Sequence, residues 1–343
     1  MLKNIIIFII VSLLLFGLID IYLLVSEIQT PHFSMIDPEK GKVNIPDRKI
    51  LFVSEGFYMG GTNHFSYWGP AYPQQKNDTT IRIGLLGNSF VEGIQLFEKY
   101  HFRSILENRL NRYLNCRVEV LNFGKGRNNL SDMFYSYNFF VKQFNPDIVL
   151  FFVDYTSDNI GSRDVADMAP YYYLENDELK IDYSFREQRS FKIIQSARFF
   201  LKNSSLTRLI YNCYTTYIYG KTCSILLDKF CNLVKDDTSS IMQEVDSLNL
   251  NGISGRLIKE ILKNKGNIIV FNPRDNTSLA DEILEIIPES QLIDLSLPID
   301  SLYSLNIDPN YWIVTNSEAH WNHIGHQVVG YYLSEKIIAL INK

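Results

Sequence analysis

In the stretch Pro146-Asp-Ile-Val-Leu-Phe-Phe-Val153, residues 148–153 form an unbroken apolar run with neither helical spacing nor alternation. A strand that is apolar on both faces has to be covered on both, as in a parallel sheet held between two layers of helices. The preceding segments fit such a sheet. IRIGLLG at 81–87 and RVEVLNFG at 117–124 read as strands, and between them Phe102, Ile105, Leu106, Leu110 and Leu114 recur at helical spacing. An aromatic-rich helix around 132–144 leads into the third strand. Strand, helix, strand, helix, strand predicts an α/β domain with a central parallel sheet.

The rhythm breaks at about 161–250, where FREQRSFKIIQSARFFLKNSSLTRLIYNCYTTYIYG has helical periodicity and KDDTSS reads as an exposed loop. A helical insertion is expected there. The alternation then resumes with the helix GRLIKEILKNKG and the strands NIIVFNP and QLIDLSL. It closes on a terminal helix with Val329, Leu333, Ile337 and Leu340 on one face. Residues 28–80, with Pro31, Pro38, Pro46, Pro70, Pro73 and Gly60-Gly61, read as a linker and entry segment. The expected division is an anchor at 1–27, this entry segment, and one domain at 81–343.

The anchor is inferred from the apolar run between Ile5 and Val25, close to the roughly 20 residues a spanning helix needs. Asp20 interrupts it, an ionisable group that costs a few kcal/mol in hydrocarbon unless it reaches the interface. A cleaved signal peptide is the competing reading, but the run is long for one and no A-x-A-like site follows. One retained transmembrane helix is therefore expected. Only Lys3 precedes it, while Lys40, Lys42, Arg48 and Lys49 follow, a bias that taken alone favours a cytoplasmic C-terminal side.

A net charge of -5, with no dense basic run, gives no footprint for nucleic acid, and none is expected as a partner. The four cysteines, Cys116, Cys213, Cys223 and Cys231, follow neither a zinc pattern nor a disulfide framework and read as inert buried thiols.

Chemistry concentrates at two places. In Gly87-Asn88-Ser89-Phe90 the serine follows the first strand, facing the crevice where α/β proteins bind ligands. On this segment alone Asn88 and Ser89 read as turn-formers, and Ser89 becomes a candidate nucleophile only if a base appears further along the chain. Near the C-terminus, SEAHWNHIGH places His320 just before the last helix as a candidate base, with Glu318 two residues upstream to orient its ring. His323 and His326 read as surface or packing positions. Glu318, His320, His323 and His326 could also ligate a metal, but their spacing fits neither H-E-x-x-H nor a finger, and no metal or other cofactor is expected.

GNSFVEG and H-W-N-x-x-G-H together resemble the first and last blocks of the SGNH (GDSL-type) hydrolase family, in its membrane-anchored bacterial form. VEVLNFGKGRNN resembles the second block and PDIVLFFVDYTSDN the third, in the right order over most of 81–343. The resemblance implies a flavodoxin-like three-layer α/β/α sandwich and acyl-ester hydrolysis or acyl transfer, deacetylation or acetyl transfer included. Ser89 then attacks the acyl carbon, His320 takes its proton and Glu318 orients the imidazole. The oxyanion is held by the Ser89 amide, a second-block glycine and a third-block asparagine. Three positions depart from the pattern. Asn88 replaces the aspartate of GDS. Arg127 falls where N-x-G-x-x-G has its last glycine, so Gly126 serves only if the loop shifts by one, and the Arg127 amide is the alternative. The third block reads Ser157-Asp158-Asn159 instead of G-N-D. Asn159 donates only after a register slip, and an ionised Asp158 in its place cannot donate.

Single-anchor members of that family commonly act outside the cytoplasmic membrane. The resemblance thus implies a single-pass membrane protein with an extracytoplasmic catalytic domain and an acylated envelope glycan or similar ester as substrate. The alternative is a catalytically impaired binding or accessory protein in surface polysaccharide assembly, with envelope-assembly proteins as partners of the anchor and insertion.

Overall fold

The computed structural model describes residues 2–26, 33–53, 55–154, 168–210, 213, 253–272 and 287–342. Helix α1 (Leu2–Val25) is followed by two antiparallel hairpins, β1 (Ser34–Asp37) with β2 (Gly41–Asn44) and β3 (Lys49–Phe52) with β4 (Tyr58–Gly61). The body then begins with β5 (Thr80–Leu86), the single-turn α2 (Ser89–Glu92), α3 (Phe102–Tyr113), β6 (Arg117–Asn122), α4 (Leu130–Phe139) and β7 (Ile148–Asp154). Beyond it come β8 (Tyr171–Glu175), β9 (Glu178–Asp182), α5 (Arg189–Asn203), α6 (Ile253–Leu262), β10 (Asn267–Asn272) and β11 (Leu292–Asp294). The last elements are α7 (Ser296–Ser304), the short strands β12 (Tyr311–Trp312) and β13 (Ser317–Glu318), and α8 (His323–Ile341).

Five strands pair in parallel in the order β6-β5-β7-β10-β11. Counted within the sheet this is the 2-1-3-4-5 order of flavodoxin-like folds, whose switch point lies between the first and third strands. Here those are β5 and β7, with Leu85 opposite Leu150. Side chains alternate between faces along a strand, and the two faces of β7 feed two separate cores. Leu150 and Phe152 pack with Phe102, Leu106 and Leu110 of α3 and with Val329, Leu333 and Ile337 of α8. Val149, Phe151 and Val153 pack on the other side with Leu130 and Met133 of α4 and Leu257, Ile258 and Ile261 of α6. The chain is an α/β sandwich with helices on both faces of a parallel sheet.

A pair of opposite charges is buried inside the sheet. The Arg82 side chain of β5 is fully buried, directly across from Glu119 of β6, and donates through Nε and Nη2 to Glu119 Oε2 at 3.0 and 2.5 Å. Its Nη1 donates to the carbonyls of Gln74 and Phe144. Through these four hydrogen bonds the guanidinium clamps the strand pair to the segment leading into β5.

Two segments differ from the sequence reading. The described part of the entry segment is structured: Ile45, Ile50, Tyr58, Tyr67 and Trp68 are buried, and the Trp68 amide donates to the Asn122 carbonyl at the end of β6. The insertion begins with the β8–β9 hairpin, docked through the Tyr172 amide on Ser131 Oγ of α4, and becomes helical at α5. Gln195 of α5 donates to the Ile36 carbonyl of β1, tying insertion to entry segment. Cys116 and Cys213 are unbridged, Cys213 being exposed. Cys223 and Cys231 fall outside the described residues.

Helix α1 has 24 residues and a stretch of mean hydropathy 2.8, none of it buried. By length and composition it is apolar enough to cross a membrane. Asp20, near its C-terminal end, accepts hydrogen bonds from Ser204 Oγ and the Leu206 amide at 3.1 and 2.7 Å. The carboxylate thus serves the start of the helical stretch after α5.

Candidate active site

At the C-terminal end of β5 the chain turns sharply into α2. Gly87 packs so closely there that a Cβ on it would lie 2.3 Å from Val91 Cγ2. Asn88 caps α2, its side chain accepting from the Phe90 amide at 3.0 Å. Capping needs only a side-chain oxygen, so asparagine serves in place of aspartate. Ser89 is the first residue of α2 and partly exposed at the switch-point crevice.

His320 arrives from the other end of the chain. Asn322 caps α8 by accepting from the Ile324 and Gly325 amides, and its Nδ2 donates to the Asp308 and Tyr311 carbonyls. The His320 carbonyl accepts from Trp312 Nε1 at 2.8 Å, and its ring packs on Phe90. These contacts place His320 Nε2 2.7 Å from Ser89 Oγ.

The carboxylate that meets His320 is not the expected Glu318. Glu318 lies on β13 with its residue exposed, paired with Tyr311 across the β12–β13 ladder. His320 Nδ1 instead meets Glu55, 2.8 Å from Oε2 and 3.0 Å from Oε1. Glu55 sits in the β3–β4 loop, 265 residues away in sequence. A carboxylate on Nδ1 fixes the ring proton there and leaves Nε2 as the acceptor for the serine hydroxyl. The side chains of His320 and Glu55 are 24% and 17% exposed, sheltered enough for the pair to be screened only weakly. Gly56 makes this approach feasible, because a Cβ there would lie 2.2 Å from both the Gln95 carbonyl oxygen and Trp312 Cζ3. Thr315 Oγ1 donates to the Glu55 carbonyl at 3.2 Å.

The other two C-terminal histidines are placed apart from this relay. His323 is exposed, whereas His326 is fully buried beside His101, its Nδ1 accepting from the Phe102 amide. Among the described residues no three His, Cys, Asp or Glu side chains converge as a metal cage.

The second block wraps around α2. Asn122 Nδ2 donates to the Val91 carbonyl at 2.7 Å, and Gly124 packs so tightly on α2 that a Cβ would lie 2.4 Å from the Glu92 amide nitrogen. Three successive amides are used internally. Gly124 donates to Asn122 Oδ1, Lys125 to the Gly87 carbonyl and Gly126 to Glu92 Oε2 at 2.9 Å. Gly126, expected to hold an oxyanion, therefore turns its N–H to a buried carboxylate. The amides of Ser89 and Arg127 have no acceptor among the described residues. Arg127 has φ 66°, the left-handed region expected of a glycine at that position, and holding a side chain there costs about 1–3 kcal/mol. Asp158 and Asn159 fall outside the described residues.

Glu92, directly beneath this loop, has its carboxyl pushed above the ordinary range by burial, opposed by the charge of Lys42 and the Gly126 amide. Burial likewise pushes the Lys125 ammonium down.

No protein-family model matches the chain, and no curated protein does either. Similar solved structures include a member of the lipolytic G-D-S-L family from Veillonella parvula, at 10% identity and a TM-score of 0.33, over 74% of this chain and 97% of that one. An acetyl xylan esterase aligns at 14% identity and a TM-score of 0.36, over 76% of this chain and 98% of the esterase. A gut microbial diltiazem-metabolizing enzyme aligns at 15% identity and a TM-score of 0.37; the chain, 76% covered, spans only 48% of that enzyme's length.

Proposed function

We propose that this chain is a serine esterase or O-acyltransferase, held at a membrane by α1 and acting on an acylated cell-envelope glycan or similar ester. The observation that carries the reading is the continuous relay Glu55–His320–Ser89, with hydrogen-bond distances at both joints. Ser89 Oγ attacks the acyl carbon while its proton passes to His320 Nε2, and Glu55 stabilises the imidazolium that forms. The tetrahedral intermediate collapses by expelling the alkoxide, which takes the proton back from His320. Water, or a hydroxyl of an acceptor, then attacks the acyl-serine through the same base and releases the acid or the new ester.

For the oxyanion we assign the amides of Ser89 and Arg127, with the Asn159 side chain as third donor; each such donor contributes about 10²–10³ in rate. In support, the two amides carry no other hydrogen bond among the described residues. Membrane attachment is supported by the length and exposed apolar surface of α1. We place the domain on the extracytoplasmic side of the cytoplasmic membrane, where such glycans lie; protease digestion of intact spheroplasts should cleave it, and protection would put it inside.

Acetate release from acetylated glycans by the full-length protein tests the chemistry. Ser89→Ala is expected to abolish release with little change in thermal unfolding. Release persisting in that variant would remove Ser89 from the mechanism. A second reading, a binding or accessory protein without activity, draws on the engagement of the Gly126 amide by Glu92. It would be favoured if folded wild type cleaves no ester and binds acylated glycan unchanged.

A further inference from the structure

Beside the relay, the β1–β2 turn and the loop after β6 bring four cations to one cleft. Lys40, Lys42, Lys125 and Arg127 line it, together with Asn128 and, among the described residues, the acid Asp132; the buried Glu92 lies behind Gly126, its carboxyl pushed by burial towards the neutral form. None of the four cations has a carboxylate within ion-pair distance among the described residues. Asp132 is committed to the start of α4, one oxygen accepting from the Asn129 amide in a capping box. Lysines of the two walls hold each other in place through backbone: Lys42 Nζ donates to the Gly126 carbonyl at 3.3 Å and Lys125 Nζ to the Lys42 carbonyl at 3.1 Å. Each ammonium has three N–H donors, so one hydrogen bond leaves others for a ligand.

Asn128 is the second, independent pointer. It is 8% exposed, and its Nδ2 is buried with no hydrogen-bond partner. An unsatisfied buried donor of this kind is normally matched by a partner. Arg127, meanwhile, is held on the cleft wall in its left-handed conformation. Donors and positive charge converge, and an oxyanion answers both.

The cleft also adjoins the nucleophile. Gly126 is the shared wall: the position of a Cβ on it lies 3.9 Å from Ser89 Cβ and 4.0 Å from Lys42 Nζ. We propose that this cleft binds a carboxylate or phosphate of the substrate, so that the ester offered to Ser89 is carried by an anionic glycan and not a neutral one. The assignment of the bound group as substrate rests on the esterase reading above; the anion site itself does not.

The test uses full-length protein in a neutral detergent, with equilibrium dialysis against inorganic phosphate, glucuronate and, as the uncharged match, glucose. Saturable binding of phosphate or glucuronate but not glucose is expected, weakened at least tenfold in Lys42→Met and in Arg127→Gly. Arg127→Gly relieves the backbone conformation and keeps the test open should Lys42→Met fold poorly. Binding of phosphate alone points to a phosphate-bearing glycan, and of glucuronate to a uronate. No binding of either anion, binding of glucose as strong as of glucuronate, or unchanged affinity in Arg127→Gly would overturn the proposal. Fluorophosphonate labelling of Ser89 on the same samples separates the two readings. Labelling without anion binding defeats the cleft alone; anion binding without labelling supports the cleft and defeats the esterase.

Discussion

In the proposed relay, Glu55 is the residue on which the local chemistry turns. Replacing it with glutamine puts an amide against His320 Nδ1 and favours the wrong ring tautomer, so the rate of ester cleavage is expected to fall about a thousandfold or more. Glu318→Gln should leave the rate close to wild type, since His320 Nδ1 is held by Glu55 and Glu318 is exposed. Steady-state cleavage of one activated ester by both variants decides between the two carboxylates. Ser89 and His320, which the structure brings to 2.7 Å of each other, each belong to a short local motif that the sequence displays. Glu55 has no such motif: its contact spans 265 residues, and Glu-Gly carries no mark in the sequence distinguishing it from any surface turn. The buried histidines give a pH dependence. Burial, reinforced for His101 by the nearby charge of Arg103, holds that ring's pKa at about 3, and His326 is also well below 6.5. Below about pH 6.5 the unfolded chain takes up protons that the folded chain refuses. Stability is thus complete above that pH and falls with acidification, for His101 by about 1.4 kcal/mol per pH unit towards 3 and for His326 in the same direction. Denaturant midpoints should be lower at pH 5 than at pH 7, with a flatter dependence in His326→Asn; equal slopes would remove these rings as the cause.

The strands and helices of the body follow from side-chain periodicity acting locally. The run 148–153 reads as doubly covered because β7 supplies both cores, and Val329, Leu333 and Ile337 read as one face because α8 buries them against α3. The β8–β9 hairpin was hidden by the helical pattern that follows it. Its signal was nevertheless present, for Asn176 and Asp177 both adopt positive φ, 51° and 67°, as the two-residue turn of a tight hairpin requires. The β3–β4 hairpin escaped for a different reason. Its strands are four residues each, and its fit depends on contact with the distant β12 region, not on its own pattern. That fit should be sensitive to one methyl group. In Gly56→Ala the added Cβ meets a backbone carbonyl that cannot rotate away. A loss of about 1–3 kcal/mol of stability is expected, with slower ester cleavage as Glu55 is displaced. Thermal melting and turnover measured together check this; loss of neither would show that the loop accommodates the methyl without moving the carboxylate.

On the scale of the whole molecule, the hairpins between α1 and the sheet make the proposed catalytic relay dependent on chain that precedes the sandwich. Asp20 extends that connection to the apolar helix, since Ser204 and Leu206 both donate to it. Removing this acceptor in Asp20→Leu should cost about 1 kcal/mol, as loss of a helix cap does, and accelerate hydrogen exchange at the Leu206 amide. Unchanged protection there would mean that the carboxylate is dispensable to the docking. The measurement that bears most directly on the relay is reaction of the full-length protein with a fluorophosphonate probe, followed by mass spectrometry to locate the adduct. An adduct on Ser89 is expected, absent in His320→Ala and formed far more slowly in Glu55→Gln. An adduct on another serine, or labelling of Ser89 indifferent to both substitutions, would contradict the assignment of Glu55, His320 and Ser89 as one catalytic unit.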